Sequence, residues 1–165
     1  MTNFKEIQSS LIISVYKNTL FLDAVLKSLL VQTFRNFEVI ISEDGESEEM
    51  RDFLSRLKMP FPLRRLTQED LGWRKNPALN HAIREANSDW LVFIDGDCVL
   101  HPRFMEFHQK MADQKYIVAG KRLKLDPMTS ELLVSGKVKP EEMNSRILLN
   151  FSKINNQITS FVKMD

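Results

Sequence analysis

The chain has 165 residues, 43% hydrophobic and 27% charged, with 23 Lys and Arg against 22 Asp and Glu for a net charge of +1. That is one ordinary domain, long enough to bury roughly 70% of its unfolded surface. The balanced, dispersed charge argues against a nucleic-acid partner, and apolar runs such as Leu11–Ile13 and Trp90–Ile94 are too short to span a bilayer. The single cysteine, Cys98, offers no internal disulfide and no secretory signal is visible, so the expectation is a cytoplasmic protein.

Strand-like and helix-like segments alternate, the pattern of an α/β fold with a mainly parallel sheet covered by helices. Leu11–Tyr16 reads as a buried first strand, and Leu20–Val31 as a helix with Leu22, Val25, Leu26, Leu29 and Leu30 at helical spacing. Phe37–Ser42 is a second strand that ends at Glu43-Asp44-Gly45. Ser47 offers an N-cap to a helix carrying Met50, Phe53, Leu54 and Leu57 on one face, closed by Pro60 and Pro62. Leu63–Leu66 is a weaker third strand, followed by the polar loop Asp70-Leu71-Gly72-Trp73-Arg74-Lys75 and a helix from about Pro77 to Ala86. Trp90–Ile94 is the clearest strand and runs straight into Asp95-Gly96-Asp97. His101-Pro102 starts a further helix, and Tyr116–Ala119 is predicted as a short strand. No firm element is predicted over Lys121–Lys139. After Pro140 the stripe Met143, Ile147, Phe151, Ile154, Ile158 and Phe161 predicts a long amphipathic helix.

No Gly-x-Gly, no Gly-Lys-Ser/Thr loop and no Gly-x-Ser-x-Gly elbow occurs, and His81, His101 and His108 lack zinc-ligand spacing. What stands out is Asp95-Gly96-Asp97 at the carboxyl end of an apolar strand, where open α/β sheets bind ligands. Two carboxylates around a glycine that permits a tight turn repel each other unless a cation joins them, and a hard divalent ion suits such oxygen donors. Taken alone the tripeptide reads equally as a solvated turn. Asp44 also follows an apolar strand and would reach the same edge of the sheet, where its carboxylate can accept from a base imide N–H. Ser14 and Tyr16, ending the first strand, offer a hydroxyl and an aromatic face, although packing explains each of them individually as well.

In this order the motifs resemble those of the inverting glycosyltransferase family 2, with its GT-A fold, over about the first 120 residues. Ser10 to Tyr16 is similar to the family's opening strand, Ser28 to Phe34 to its Ser-x-Leu-x-Gln-Thr helix end, and Phe37 to Gly45 to its second strand with a base-binding aspartate. Leu71 to Asn80 resembles the segment leading into an asparagine-bearing helix, and Trp90 to Asp97 the Asp-x-Asp strand. The resemblance implies a donor-binding domain over residues 1–120 that binds a nucleotide diphosphate sugar, UDP-sugar first, with Mn2+ or Mg2+. Asp44, Ser14 and Tyr16 would hold the uracil, Asp95 the ribose or metal, Asp97 the metal, and Arg74 and Asn80 the diphosphate or sugar. Cys98 is expected to be a small buried hydrophobe.

The implied reaction is metal-dependent transfer to the hydroxyl of a carbohydrate or glycan-lipid acceptor with inversion. It requires a base, and Glu141-Glu142, the later acidic pair, is not assigned that role because acidic residues suit any helix start. Residues 121–165 are expected to be a loop and amphipathic helix that begin an acceptor-side region, with the chain ending before it is complete. That helix would fold back on the domain or form a homodimer. The alternatives are a module that binds nucleotide sugar without transferring it, and a sugar nucleotidyltransferase. The latter is disfavoured because Tyr16-Lys17-Asn18-Thr19 stands where those enzymes carry a glycine-rich basic loop.

Overall fold

The computed structural model describes residues 7–120, 122 and 124–142. Four strands, β1 (Ser9–Val15), β2 (Phe37–Glu43), β3 (Leu63–Leu66) and β4 (Leu91–Asp95), form one sheet of order β3-β2-β1-β4. Every pairing is parallel. The second strand is buried along its whole length, as the centre of a two-sided parallel sheet must be. Alternation along β1 divides the core: Leu11, Ile13 and Val15 face one side with Val39, Ile41 and Val92, while Ile12 and Ile40 face the other.

The first face is covered by α1 (Thr19–Leu30), α2 (Glu48–Ser55) and α4 (Phe104–Lys110), which bury Leu22, Val25, Leu26, Leu29, Met50 and Met105 against it. The second is covered by α3 (Lys75–Arg84) through Leu79 and Ala82. Local chemistry fixes the helix starts. The Asn18 side chain accepts from the Phe21 amide, and Ser47 caps α2 by accepting from the Met50 amide, as its sequence position predicts. The third helix begins two residues before Pro77, which still falls in its first turn. Among the described residues no helix is long and apolar enough to cross a membrane.

Two expectations are corrected. Tyr116–Ala119 forms no strand: Asp113 to Tyr116 makes a turn, and Tyr116 and Ile117 are 69% and 97% exposed. A short apolar run pairs only where a neighbouring strand accepts it, and none does among the described residues. Conversely, the stretch expected to lack structure contains α5 (Pro127–Val134), with Asp126 as a side-chain cap and Pro127 in the first turn. Leu133 and Val138 pack on Ala24 of α1, and Pro140–Glu142 follows as one 3-10 turn. The amphipathic helix expected from residue 143 onward lies outside the described residues.

Candidate functional site

With order β3-β2-β1-β4, the direction of winding reverses between β1 and β4. In open parallel sheets the crevice outside the carboxyl ends of the two strands at such a reversal is where ligands bind. A cavity of about 280 Å³ opens there. It is lined by Ser14, Val15 and Tyr16 from the end of β1, Asp95, Gly96 and Asp97 from the end of β4, and Asn18 and Phe21 from the start of α1.

The Asp95-Gly96-Asp97 turn is clamped to the first strand. The Gly96 amide donates to the Ser14 carbonyl at 2.8 Å, and a Cβ at position 96 would lie 2.6 Å from Val15 Cγ1 and 3.1 Å from Ser14 O. Glycine is therefore required here by the closeness of β1, where the sequence suggests a need for tight turning. The segment beyond the turn is held by α1. Ser28 Oγ accepts from the Leu100 amide; Gln32 donates to the His101 carbonyl and accepts from the Met105 amide; the Thr33 amide donates to the Pro102 carbonyl. The helix-end residues Ser28, Gln32 and Thr33 thus brace the chain immediately after the two aspartates.

Asp95 accepts from Lys75 Nζ on one carboxylate oxygen and, at 2.8 Å, from Arg122 Nη1 on the other. The Lys75 hydrogen bond holds its pKa below the usual carboxylate range, more than offsetting partial burial, with the Lys75 and Arg122 charges adding to the effect. Asp97 is exposed, and among the described residues no cation pairs with it. Ligand atoms of Asp95, Asp97 and Cys98 all lie within 4.8 Å of one another. Two carboxylates fit a hard divalent ion that completes its shell with water and phosphate oxygens. The thiol is a soft donor and does not suit such an ion, and burial pushes the Cys98 pKa up. Cys98, expected to be a small buried hydrophobe, is half-buried beside Asp97 and Arg122.

A model of the family described as "Glycosyl transferase family 2" matches residues 10–161. The chain belongs to this family. The match runs well beyond the first 120 residues, which carry the motifs. Among relatives, the chain is 31% identical over 99 residues to validoxylamine A glucosyltransferase of Streptomyces hygroscopicus subsp. jinggangensis, covering 59% of this chain and 24% of that protein. It is 25% identical over 120 residues to hyaluronan synthase of Pasteurella multocida, covering 71% of this chain and 12% of that one. The chain thus spans about a quarter or less of the length of these relatives. The crystal structure of S. aureus TarS 1-349 in complex with UDP-GlcNAc superposes with a TM-score of 0.54 at 20% identity, covering 61% of this chain and 29% of that one. That likeness shows the fold, an α/β sheet of the GT-A kind.

Within this family 2 fold, the residues singled out by sequence divide into two groups. Ser14, Tyr16, Asp95 and Asp97 meet at the cavity. Asp44, Arg74 and Asn80 are not among its lining residues. Asp44 is 7% exposed; its carboxylate accepts from Gln68 Nε2 at 2.6 Å and from the Arg74 amide at 2.8 Å. It therefore ties the loop after β3 to the end of β2. Arg74 contributes this amide at the start of α3, and Asn80 is exposed on that helix.

Sequence reasoning missed two further groups. Lys75 and Arg122 sit 20 and 27 residues from the aspartate they pair with, so no local pattern links them. Asp70 receives Lys17 Nζ at 2.6 Å and the Tyr16 hydroxyl at 3.3 Å, with Lys17 in a left-handed conformation at φ 50°. The Lys17 hydrogen bond holds the Asp70 carboxyl below its ordinary value. The available signal for this contact was Asp70 itself, the first residue of the polar loop.

Proposed function

We propose that this chain is the donor-binding part of a glycosyltransferase that moves a sugar from a nucleotide diphosphate sugar, UDP-sugar first, to a hydroxyl of a carbohydrate or glycan-lipid acceptor, with inversion and with Mn2+ or Mg2+. The observation that carries the reading is the meeting of Asp95 and Asp97 with Ser14 and Tyr16 in one cavity at the β1/β4 reversal. Family membership supports glycosyl transfer, and the complex of TarS with UDP-GlcNAc supports the choice of donor.

A bound Mg2+ or Mn2+ supplies Lewis-acid neutralisation of the charge that develops on the diphosphate leaving group. The chain's own residues do the rest. Asp97, exposed and free of a cation partner among the described residues, is the first carboxylate a metal would meet, and Asp95 the second. The exposed ring of Tyr16 and Ser14, both at the cavity, would hold the uracil with Asp44. Asp44, its carboxylate held by Gln68 and the Arg74 amide, would accept from the base imide N–H, and Arg74 and Asn80 would serve the diphosphate or sugar. Glu141 and Glu142, in the 3-10 turn that packs on α1, are not assigned as the base.

Calorimetry with UDP tests this reading. Binding is expected with Mn2+ and strongly reduced with chelator, and Asp97→Ala removes most of the metal-dependent part. Asp44→Ala weakens UDP by about ten- to a hundredfold, the value of a hydrogen bond to a charged acceptor, while leaving metal binding in place. Equal UDP affinity with and without metal would contradict the assignment.

A further inference from the structure

The unusual feature of the site is that one carboxylate, Asp95, holds two cations while its neighbour holds none. Lys75 Nζ sits on Oδ1 and Arg122 Nη1 on Oδ2, so both oxygens that would face a metal are engaged. Asp97, two residues on, is exposed and has no cation partner among the described residues. The two cations come from different parts of the fold, Lys75 from the start of α3 and Arg122 from the segment beyond α4. Lys75 and Arg122 balance the charges of Asp95 and Asp97.

We infer that Lys75 and Arg122 stand in for the divalent cation at Asp95 and pass to the diphosphate when nucleotide and metal bind together, so that each ligand strengthens the other's binding. The inference rests on the metal and nucleotide reading above and goes beyond it by assigning these two residues and the coupling. A divalent ion arriving alone meets two cations already seated on Asp95, and like charges at such range repel. A diphosphate arriving alone finds both cations already committed to Asp95. Together the ligands resolve both problems: the ion takes the carboxylate oxygens, and the released ammonium and guanidinium find phosphate oxygens. Arg122 is well suited to the exchange because a guanidinium pairs with carboxylate and phosphate alike. With its side chain 72% exposed, Arg122 is also free to swing between them.

The test uses the full 165-residue chain, with Mn2+ and UDP titrated by calorimetry, each alone and each in the presence of the other. Coupling free energies between sites correspond to about 5- to 150-fold in affinity and must be equal in both directions. The wild type is expected to show about tenfold coupling or more. In Lys75→Met/Arg122→Ala, Mn2+ alone binds several-fold more tightly than in wild type, UDP with Mn2+ binds more weakly, and the coupling falls at least about threefold from its wild-type value, what remains being the direct contact of ion and phosphate oxygens. Arg122→Ala alone, at an exposed side chain, moves all three quantities in the same directions, and Arg122→Lys recovers part of the coupling. Circular dichroism confirms that each variant is folded. Should the double variant not fold, the single variant decides the matter. Unchanged coupling in Arg122→Ala, or weaker binding of Mn2+ alone, overturns this inference and leaves the reading of the site standing. Absence of metal-dependent UDP binding in the wild type overturns both.

Discussion

Gly96→Ala adds one carbon where β4 leaves the sheet, and the structure leaves no room for it. The new Cβ would lie 2.6 Å from Val15 Cγ1, 3.4 Å from Val15 Cβ and 3.1 Å from the Ser14 carbonyl oxygen. Val15 is 6% exposed and β-branched, so its methyl cannot rotate away without meeting the core. The Ser14 carbonyl cannot retreat either, because it accepts from the Gly96 amide at 2.8 Å. Overpacking of this kind costs about 1–3 kcal/mol, and the contact with a stiff, buried neighbour places Gly96→Ala near the upper end. The strain relaxes by moving the turn that carries Asp95 and Asp97, so UDP affinity with Mn2+ falls by about tenfold, or 1.4 kcal/mol.

Urea denaturation reads the stability change as a shift in midpoint at constant slope, and calorimetry reads the binding. Val15→Ala removes the offending methyl. Alone it costs about 1.5–3 kcal/mol for lost burial and the space it leaves. In the double variant the penalties should fall short of their sum by about 1 kcal/mol or more, since the two residues touch. A Gly96→Ala protein within about 0.5 kcal/mol of wild type, with unchanged UDP binding, would refute the close-approach argument.

The remaining predictions concern the supports of the site. Gln32→Ala leaves the amide of fully buried Met105 without its acceptor and the His101 carbonyl without its donor, so it should destabilise the chain by about 1–3 kcal/mol in urea. A loss under about 0.5 kcal/mol would deny Gln32 its bracing role. At the opposite end of the sheet, buried Glu38 accepts from Ser10, Arg64 and the amide and side chain of Asn87. Burial pushes its pKa up, but these partners more than reverse that, and the net direction is down. A carboxyl lowered in the folded state contributes stability that is complete above its unfolded pKa of about 4.3 and is lost as pH falls through the lower folded value. Glu38→Gln should therefore cost about 1.5–3 kcal/mol at pH 7. The gap from wild type should stay constant down to about pH 5 and close only below about 4.3. A gap that persists unchanged to pH 3 would show that the ionised form is not what matters.

Most of the sheet was legible because β1, β2 and β4 are apolar enough to stand out individually. Phe37–Glu43 is buried on both faces and reads as a continuous run, and Leu63–Leu66 was found with its observed bounds. Tyr116–Ala119 misled because four apolar residues carry no information about whether a partner strand is available. The fifth helix was hidden for the opposite reason: its apolar side is narrow, Leu133 being its buried residue, and only the Asp126-Pro127 start betrayed it. At the site, sequence order identified residues that end strands, since topology alone brings Ser14, Tyr16, Asp95 and Asp97 to one edge. It did not reveal what pairs with them. Lys75 stands beside Arg74 in one polar loop with nothing local to distinguish the two, and Arg122 lies in a stretch with no periodicity to mark it. Gln32 was recognised as part of a motif, but its role in bracing the segment after Asp97 needed the fold.

The most direct test of the site locates the metal and the nucleotide on the molecule. Backbone amide NMR spectra of the isotopically labelled chain, recorded with UDP and Mg2+ and again with trace Mn2+, report proximity because a paramagnetic ion broadens nearby resonances. Broadening is predicted to centre on Gly96, Asp97 and Cys98 and to reach Ser14 and Tyr16 across the cavity. Asn87 and Glu38, at the far end of the strands, stay sharp. Broadening centred elsewhere, or none in the presence of UDP, would contradict the assignment of Asp95 and Asp97 as the metal-binding pair.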